Sequence, residues 1–176
     1  MAREWPPIDL ERPEKPGPGE PDVLPPDDPV TFLARHSGKA LTVPGASKDD
    51  GVALVQADRR DTFSQQWALL VDGYGWYRII NKWSGKVLDV AGASLDSGAP
   101  VVQWPWHGGH NQQWRVEHVG DGYSRLVARH SGKVLDVAGG ALDASAPIVQ
   151  FGWNGGHNQQ WRRLSVPPEE DEFPRH

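Results

Sequence analysis

The chain contains no cysteine. That excludes a disulfide framework and any thiolate metal site. No apolar run approaches the ~20 residues that a membrane-spanning helix requires, so membrane insertion is not expected. A basic excess is also missing: 18 Lys and Arg stand against 23 Asp and Glu, for a net charge of −5 and a pI near 5.8. Sequence-independent nucleic-acid binding draws its affinity from clustered Lys and Arg, and so is not expected either. The opening Met1-Ala2-Arg3-Glu4-Trp5-Pro6-Pro7 has no apolar h-region, so no secretory signal is visible. The expectation is a chain made in the cytoplasm, reaching the outside by lysis, by a route without a cleaved signal, or on the exterior of a particle.

What is present in excess is tryptophan, nine in 176 residues. Each brings a large apolar area and one N–H that needs a partner. Three of them end copies of Gln-Gln-Trp, at Trp67, Trp114 and Trp161, and both intervals are 47 residues. A fixed period of this kind decides the architecture before any local reading does. Ser84-to-Trp114 matches Ser131-to-Trp161 at 23 of 31 positions, and Ser37-to-Trp67 matches the middle copy at 15 of 31.

The ends differ from the body. Residues 1–30 hold nine of the sixteen prolines, among Glu, Asp and Gly. Proline fixes φ and lacks the N–H, so this stretch forms neither helix nor central strand and reads as an extended arm. Two accounts stand: a disordered leader, or a docking arm anchored by Trp5, Ile8 and Leu10, with Val23 and Leu24 nearer the body. Residues 166–176 form a short acidic tail, expected to be solvated. Between about Thr31 and Ser165 no segment keeps a 3.6-residue apolar period. Short runs such as Val87-Leu88-Asp89-Val90 and Val101-Val102-Gln103-Trp104 alternate with turn signals, Asp72-Gly73 and Asp121-Gly122 among them. This predicts an all-β body of three repeats, 31–76, 77–122 and 123–165. One unit of that size cannot bury its own apolar face, so three must share a core. A propeller is the rival, but its blades usually number four or more.

Each Gln-Gln-Trp is preceded by a Ser-Gly-Lys turn and a Leu-Asp-Val segment, or Leu41-Thr42-Val43 in the first copy. Three such sets in register resemble the ricin B-type lectin family. The resemblance covers residues 31–165 and leaves out both tails. It implies a β-trefoil and carbohydrate binding.

Comparison of the three copies separates scaffold from site. The Gln-x-Trp tryptophans, Leu41/Leu88/Leu135, Val43/Val90/Val137 and Gln56/Gln103/Gln150 recur in all three and read as core. Four other positions change together in the first copy. Asp89 and Asp136 correspond to Thr42; Trp104 and Phe151 to Ala57; Asn111 and Asn158 to Ser64; Gly108-Gly109 and Gly155-Gly156 to Asp61-Thr62. That is the expected signature of a site lost without loss of the fold.

In the family resembled, the sugar is held by that Asp, by an aromatic about seven residues before the Asn, and by the Asn-Gln pair, often with a polar residue four before the Asn. This implies Asp89, Trp104, His107, Asn111 and Gln112 in the second repeat, and Asp136, Phe151, Asn154, Asn158 and Gln159 in the third. The residue types suit the chemistry. A carboxylate accepts from neighbouring hydroxyls, amides supply a donor and an acceptor, and an aromatic face covers the C–H side of a sugar ring. Galactose- and xylose-type saccharides are the candidate glycans. Trp106 and Trp153 stand where many relatives have a disulfide cysteine. Either they pack in place of the bridge or they are the stacking rings.

No cofactor is implied, and His107-Gly-Gly-His110 falls short of the three or four convergent ligands of a metal site. No nucleophile–base set stands out, so an enzyme is not expected. Asp89 and Asp136, in equivalent positions of different lobes, are too far apart for the ~5–9.5 Å of a glycosidase pair. A second expectation from a different class is a structural or decorating protein, anchored to a larger assembly such as a viral or phage-tail-like particle or an enzyme complex through residues 1–30.

Overall fold

Short β-branched runs between positive-φ turns have too few residues to close a helix, and they become strands. The structure, a computed structural model, describes residues 29–166. Trp5, Ile8, Leu10, Val23 and Leu24 lie outside the described residues, as does the acidic tail from residue 167 onward. The first repeat supplies β1 (Val30–Ala34), β2 (Ala40–Thr42), β3 (Val55–Ala57) and β4 (Trp67–Val71). The second supplies β5 (Tyr77–Asn81), β6 (Val87–Val90), β7 (Val101–Trp104) and β8 (Trp114–Gly120). The third supplies β9 (Tyr123–Ala128), β10 (Val134–Val137), β11 (Ile148–Phe151) and β12 (Trp161–Ser165).

The first and last strands of each repeat form a closed antiparallel ring. β12 pairs β1 from Val30↔Ser165 to Ala34↔Trp161, β4 pairs β5, and β8 pairs β9. Short pairings, Val30↔Trp67, Tyr77↔Trp114, and Trp161↔Ser124 with Arg162↔Tyr123, complete it within the repeats. The middle strands make three hairpins, β2–β3, β6–β7 and β10–β11. Bridges Ala53↔Val102, Pro100↔Val149 and Val55↔Pro147 join the hairpins to one another around the axis. A six-stranded barrel capped by a triplet of hairpins is a β-trefoil, the fold the threefold period predicts.

The core is layered by the 47-residue register. Phe32, Ile79 and Leu126 form one level, Leu41, Leu88 and Leu135 another, and Leu54, Val101 and Ile148 fill the cap. Trp67, Trp114 and Trp161 are completely buried, and their indole N–H groups donate to Leu41 O, Leu88 O and Leu135 O at 3.1, 2.9 and 3.1 Å. Each ring removes ~150–250 Å² from water, about 4–6 kcal/mol as an upper bound.

The recurrent glutamines tie repeat to repeat. Gln103 Nε2 donates to Ser47 O and Asp49 O in the preceding repeat at 3.0 and 2.9 Å. Gln150 Nε2 does the same to Ser94 O and Asp96 O, and Gln56 Nε2 to Ala141 O and Asp143 O. Part-buried carbonyls of the irregular loops are satisfied in this way, around a closed circle.

Candidate functional site

Each candidate site forms where a hairpin strand meets the loop that leads into Gln-Gln-Trp. In the second repeat Asp89 lies on β6 and is 4% exposed. The register pairs Asp89 with Val102 and Val87 with Trp104. Asp89 and Trp104 therefore share one face of the hairpin as diagonal neighbours, a spacing of about 7–8 Å. Trp104 is 41% exposed, and Phe151, in the matching place beside Asp136, is 43% exposed.

The loop residues converge on the carboxylate. Gln112 Nε2 donates to Asp89 Oδ2 at 2.9 Å and to Pro105 O at 2.9 Å, while Gln112 Oε1 accepts from His107 N. Gln159 repeats this with Asp136 Oδ2 at 2.9 Å, Gly152 O and Asn154 N. Both glutamines are 0% exposed. Gln112 and Gln159, expected among the sugar contacts, are buried behind the aspartates. They aim the carboxylate and clamp the loop. Asn111 Nδ2 donates to Val90 O at 3.1 Å, and Asn158 Nδ2 to Val137 O at 3.0 Å. Each asparagine also hydrogen-bonds the carboxylate beside it, Asn111 to Asp89 and Asn158 to Asp136.

His107 and Asn154 play one backbone role. Gly109 N donates to His107 Nδ1 at 3.0 Å, and Gly156 N to Asn154 Oδ1 at 2.8 Å. A neutral imidazole that accepts at Nδ1 carries its hydrogen on Nε2, and this Nε2 lies 3.9 Å from Asp89 Oδ2. Glycine is required beside them. A Cβ on Gly109 would stand 2.5 Å from His107 Cε1 and 2.7 Å from Asn111 Oδ1. On Gly156 it would stand 2.6 Å from Asn158 Oδ1 and 2.9 Å from Asn154 Oδ1.

Burial opposes charge on both aspartates. The Asp89 carboxyl is raised above its ordinary 3.8 because burial outweighs the hydrogen bond from Gln112 and the favourable influence of His107, Asn111 and His130. Asp136 is raised for the same reason, against Gln159, Asn158 and His36. His130 and His36 are site neighbours that the sequence reading does not single out. Their Nε2 atoms hydrogen-bond Ser94 O and Ala141 O, each at 2.7 Å. The signal was available in the same register, which sets Trp83 of the middle repeat between these two histidines.

Trp106 and Trp153 are turned to other partners. The Arg78 guanidinium lies 3.9 Å from the Trp106 ring centroid, and Arg125 lies 4.9 Å from that of Trp153. In the first repeat the clamp survives without the carboxylate. Gln65 still holds Arg60 N and Asp58 O, each at 2.7 Å, but Thr42 turns its hydroxyl to Ala40 O. Val43 N donates to Ser64 O at 3.1 Å, whereas in the other repeats the valine carbonyl accepts from the asparagine side chain. Among the described residues no group of three or more His, Cys, Asp or Glu is placed to hold a metal ion.

Residues 24–104 and 110–172 match the model of a family described as ricin-type beta-trefoil lectin domain-like. No curated protein sequence matches the chain. Among solved structures, a designed threefold-symmetric protein, ThreeFoil, is 47% identical, with a TM-score of 0.77 over 78% of this chain and 99% of that one. The exo-β-1,3-galactanase 1,3Gal43A from Clostridium thermocellum is 34% identical, with a TM-score of 0.79 over 82% of this chain but only 32% of the enzyme. A ricin B-like lectin from Macrolepiota procera, solved with lactose, shares the fold at 16% identity, with a TM-score of 0.70 over 82% of this chain and 100% of that one.

Proposed function

The chain belongs to the ricin-type β-trefoil lectin domain-like family, and from that premise we propose that it binds carbohydrate at two sites, one in the second repeat and one in the third, without catalysing a reaction. The observation that carries this reading is a duplicated arrangement. A nearly buried carboxylate is held by a glutamine at 2.9 Å in both repeats, beside an asparagine that hydrogen-bonds the same carboxylate and an exposed ring. A sugar presents adjacent hydroxyls and a C–H face, which such a set would meet together.

Asp89 and Asp136 accept from sugar hydroxyls in this reading. Asn111 and Asn158 add an acceptor at Oδ1, His107 Nε2 and Asn154 approach from the loop, and Trp104 and Phe151 cover the apolar face. Trp104 and Phe151 are preferred over Trp106 and Trp153, each of which has a guanidinium stacked on its ring. Phe151 has no polar edge, so the third repeat selects differently from the second. Galactose-type ligands are favoured over xylose-type by the similarity to part of a galactanase, 32% of that enzyme's length.

Affinity per site is expected in the range of ~0.1–1 mM, made useful by engaging both sites on one multivalent glycan. Calorimetric titration with lactose and xylobiose tests this. The wild type should bind two lactose molecules, Asp89→Ala and Asp136→Ala one each, and the double variant none. No binding by the wild type to either sugar, nor to any glycan on a broad array, would overturn the proposal.

A further inference from the structure

Resting on that reading, we infer that the arginines stacked behind the sugar-contacting loops are positioning residues for the two sites, standing in for the covalent bridge that a chain without cysteine cannot make. In the second repeat, Arg78 from β5 covers Trp106, which belongs to the loop that also carries His107. Arg129 lies 5.1 Å from the Trp76 ring centroid and donates through Nη1 to Gln113 Oε1 at 2.7 Å. Gln113 Nε2 then donates to Gly108 O at 3.0 Å. A line of contacts thus runs from the barrel wall to the glycine pair on which His107 and Asn111 depend.

The third repeat builds the same device from its own residues. Arg125 covers Trp153, and Arg35 stacks 4.4 Å from Tyr123 while donating to Gln160 Oε1 at 2.9 Å. Gln160 Nε2 donates to Gly155 O at 3.1 Å.

The first repeat is an internal control. At the places of Trp106, Arg78, Arg129 and Trp76 it has Arg59, Thr31, Lys82 and Pro29. Gln66 Nε2 reaches Asp61 O only at 3.4 Å, and Gln66 Oε1 is buried with no hydrogen-bond partner. The buried tryptophan, leucines and inter-repeat glutamine persist there, so the fold does not require the device. Both arginine–ring stacks are present where the carboxylate, asparagine and glycine pair are present; in the first repeat a single lysine, Lys82, lies 4.4 Å from the Phe63 ring instead. A cation over an aromatic ring is a modest interaction, suited to holding an exposed loop in register rather than to holding the barrel together.

The test isolates one site at a time. In an Asp136→Ala background, Arg78→Met should weaken lactose binding at the second repeat about threefold to tenfold, and Arg78→Lys should recover most of that loss. Trp106→Leu should weaken binding by a similar factor. The Arg78→Met/Trp106→Leu double variant should be no worse than the weaker single, because both remove one pair. In an Asp89→Ala background, Arg78→Met should leave lactose binding at the third repeat unchanged. Unchanged affinity at the second repeat, or equal weakening at both, overturns the proposal. Hydrogen exchange supplies a readout that needs no sugar. Arg78→Met should speed exchange at the amides of His107 and Gly109 but not at Asn154 and Gly156. If the parent variant fails to bind lactose, the carbohydrate reading fails on its own, and unchanged exchange at His107 and Gly109 would still count against the positioning role.

Discussion

The side-chain amide of Gln112 donates to Asp89 Oδ2 at 2.9 Å from a position with no solvent exposure, so a fully buried residue aims the carboxylate. The rest of that amide holds the loop through Pro105 O and His107 N. One fully buried side chain thereby fixes the position of the charge and the position of the loop that faces it.

The charge itself works against the fold. The Asp89 carboxyl sits above its ordinary 3.8, with burial as the largest cause. The folded state therefore holds this proton more tightly than the unfolded chain does. Stability falls as pH rises from the ordinary value through the raised one, and at pH 7 the full penalty is present. Asp89→Asn should melt above the wild type at pH 7, lose that advantage below pH 3.8, and lose lactose binding at the second repeat. A lower melting temperature at pH 7 would show that the lost charge-assisted bonds matter more than burial. In the wild type, lactose affinity should start to fall, on acidification, above the usual carboxylate range.

Gly109→Ala should weaken lactose binding at the second repeat by about tenfold or more, ~1.4 kcal/mol. The added methyl would meet His107 and Asn111 Oδ1 at 2.5 and 2.7 Å, and one of them must leave its place. Titration in the Asp136→Ala background measures the loss. The third repeat, tested in the Asp89→Ala background, should be unaffected.

Gln103→Leu separates fold from site in the opposite direction. It strips the donors from Ser47 O and Asp49 O in the neighbouring repeat. An orphaned carbonyl costs ~1–3 kcal/mol when buried, so the two part-buried ones together cost about 6 kcal/mol at most. Urea denaturation should show a lower midpoint at an unchanged slope. Lactose affinity of the folded protein should stay within about twofold of wild type, ~0.4 kcal/mol.

Thr42→Asp alone should lower the melting temperature without adding a site, since it buries a carboxylate beside Ser64 and Ala57 with neither ring nor asparagine. Combined with Ala57→Trp, Thr62→Gly and Ser64→Asn it should raise the lactose stoichiometry from two to three. Gln65 is already in position, clamping Arg60 N and Asp58 O. A stoichiometry that stays at two would mean that the backbone bond from Val43 N to Ser64 O keeps the first lobe closed.

Period and recurrence made the barrel, its three tryptophans and its leucine layers legible in the sequence, because burial on a pseudo-threefold axis demands the same residue three times. The pairing of Asp89 with Asn111 was legible from their joint loss at Thr42 and Ser64. The role of Gln112 was not, because a side-chain amide looks the same in sequence whether it faces a ligand or a buried carboxylate. The stacking of Arg78 on Trp106 was hidden as well. These residues lie 28 positions apart, in different elements, and only the closure of the barrel brings them together. The clasp from Gln103 back to Ser47 and Asp49 crosses a repeat boundary, and no pattern inside one repeat could reveal it.

The seam between β1 and β12 also bears on chain connectivity. Val30 lies opposite Ser165, and Val166 N donates to Pro29 O at 3.0 Å. Residues 29 and 166 are thus neighbours, and the order in which the three lobes are written is arbitrary as far as the barrel is concerned. A short linker joining these two positions, with a cut in the exposed turn at Tyr74–Gly75, would give a circularly permuted chain that begins with the lobe bearing Asp89 and leaves every strand its present partners.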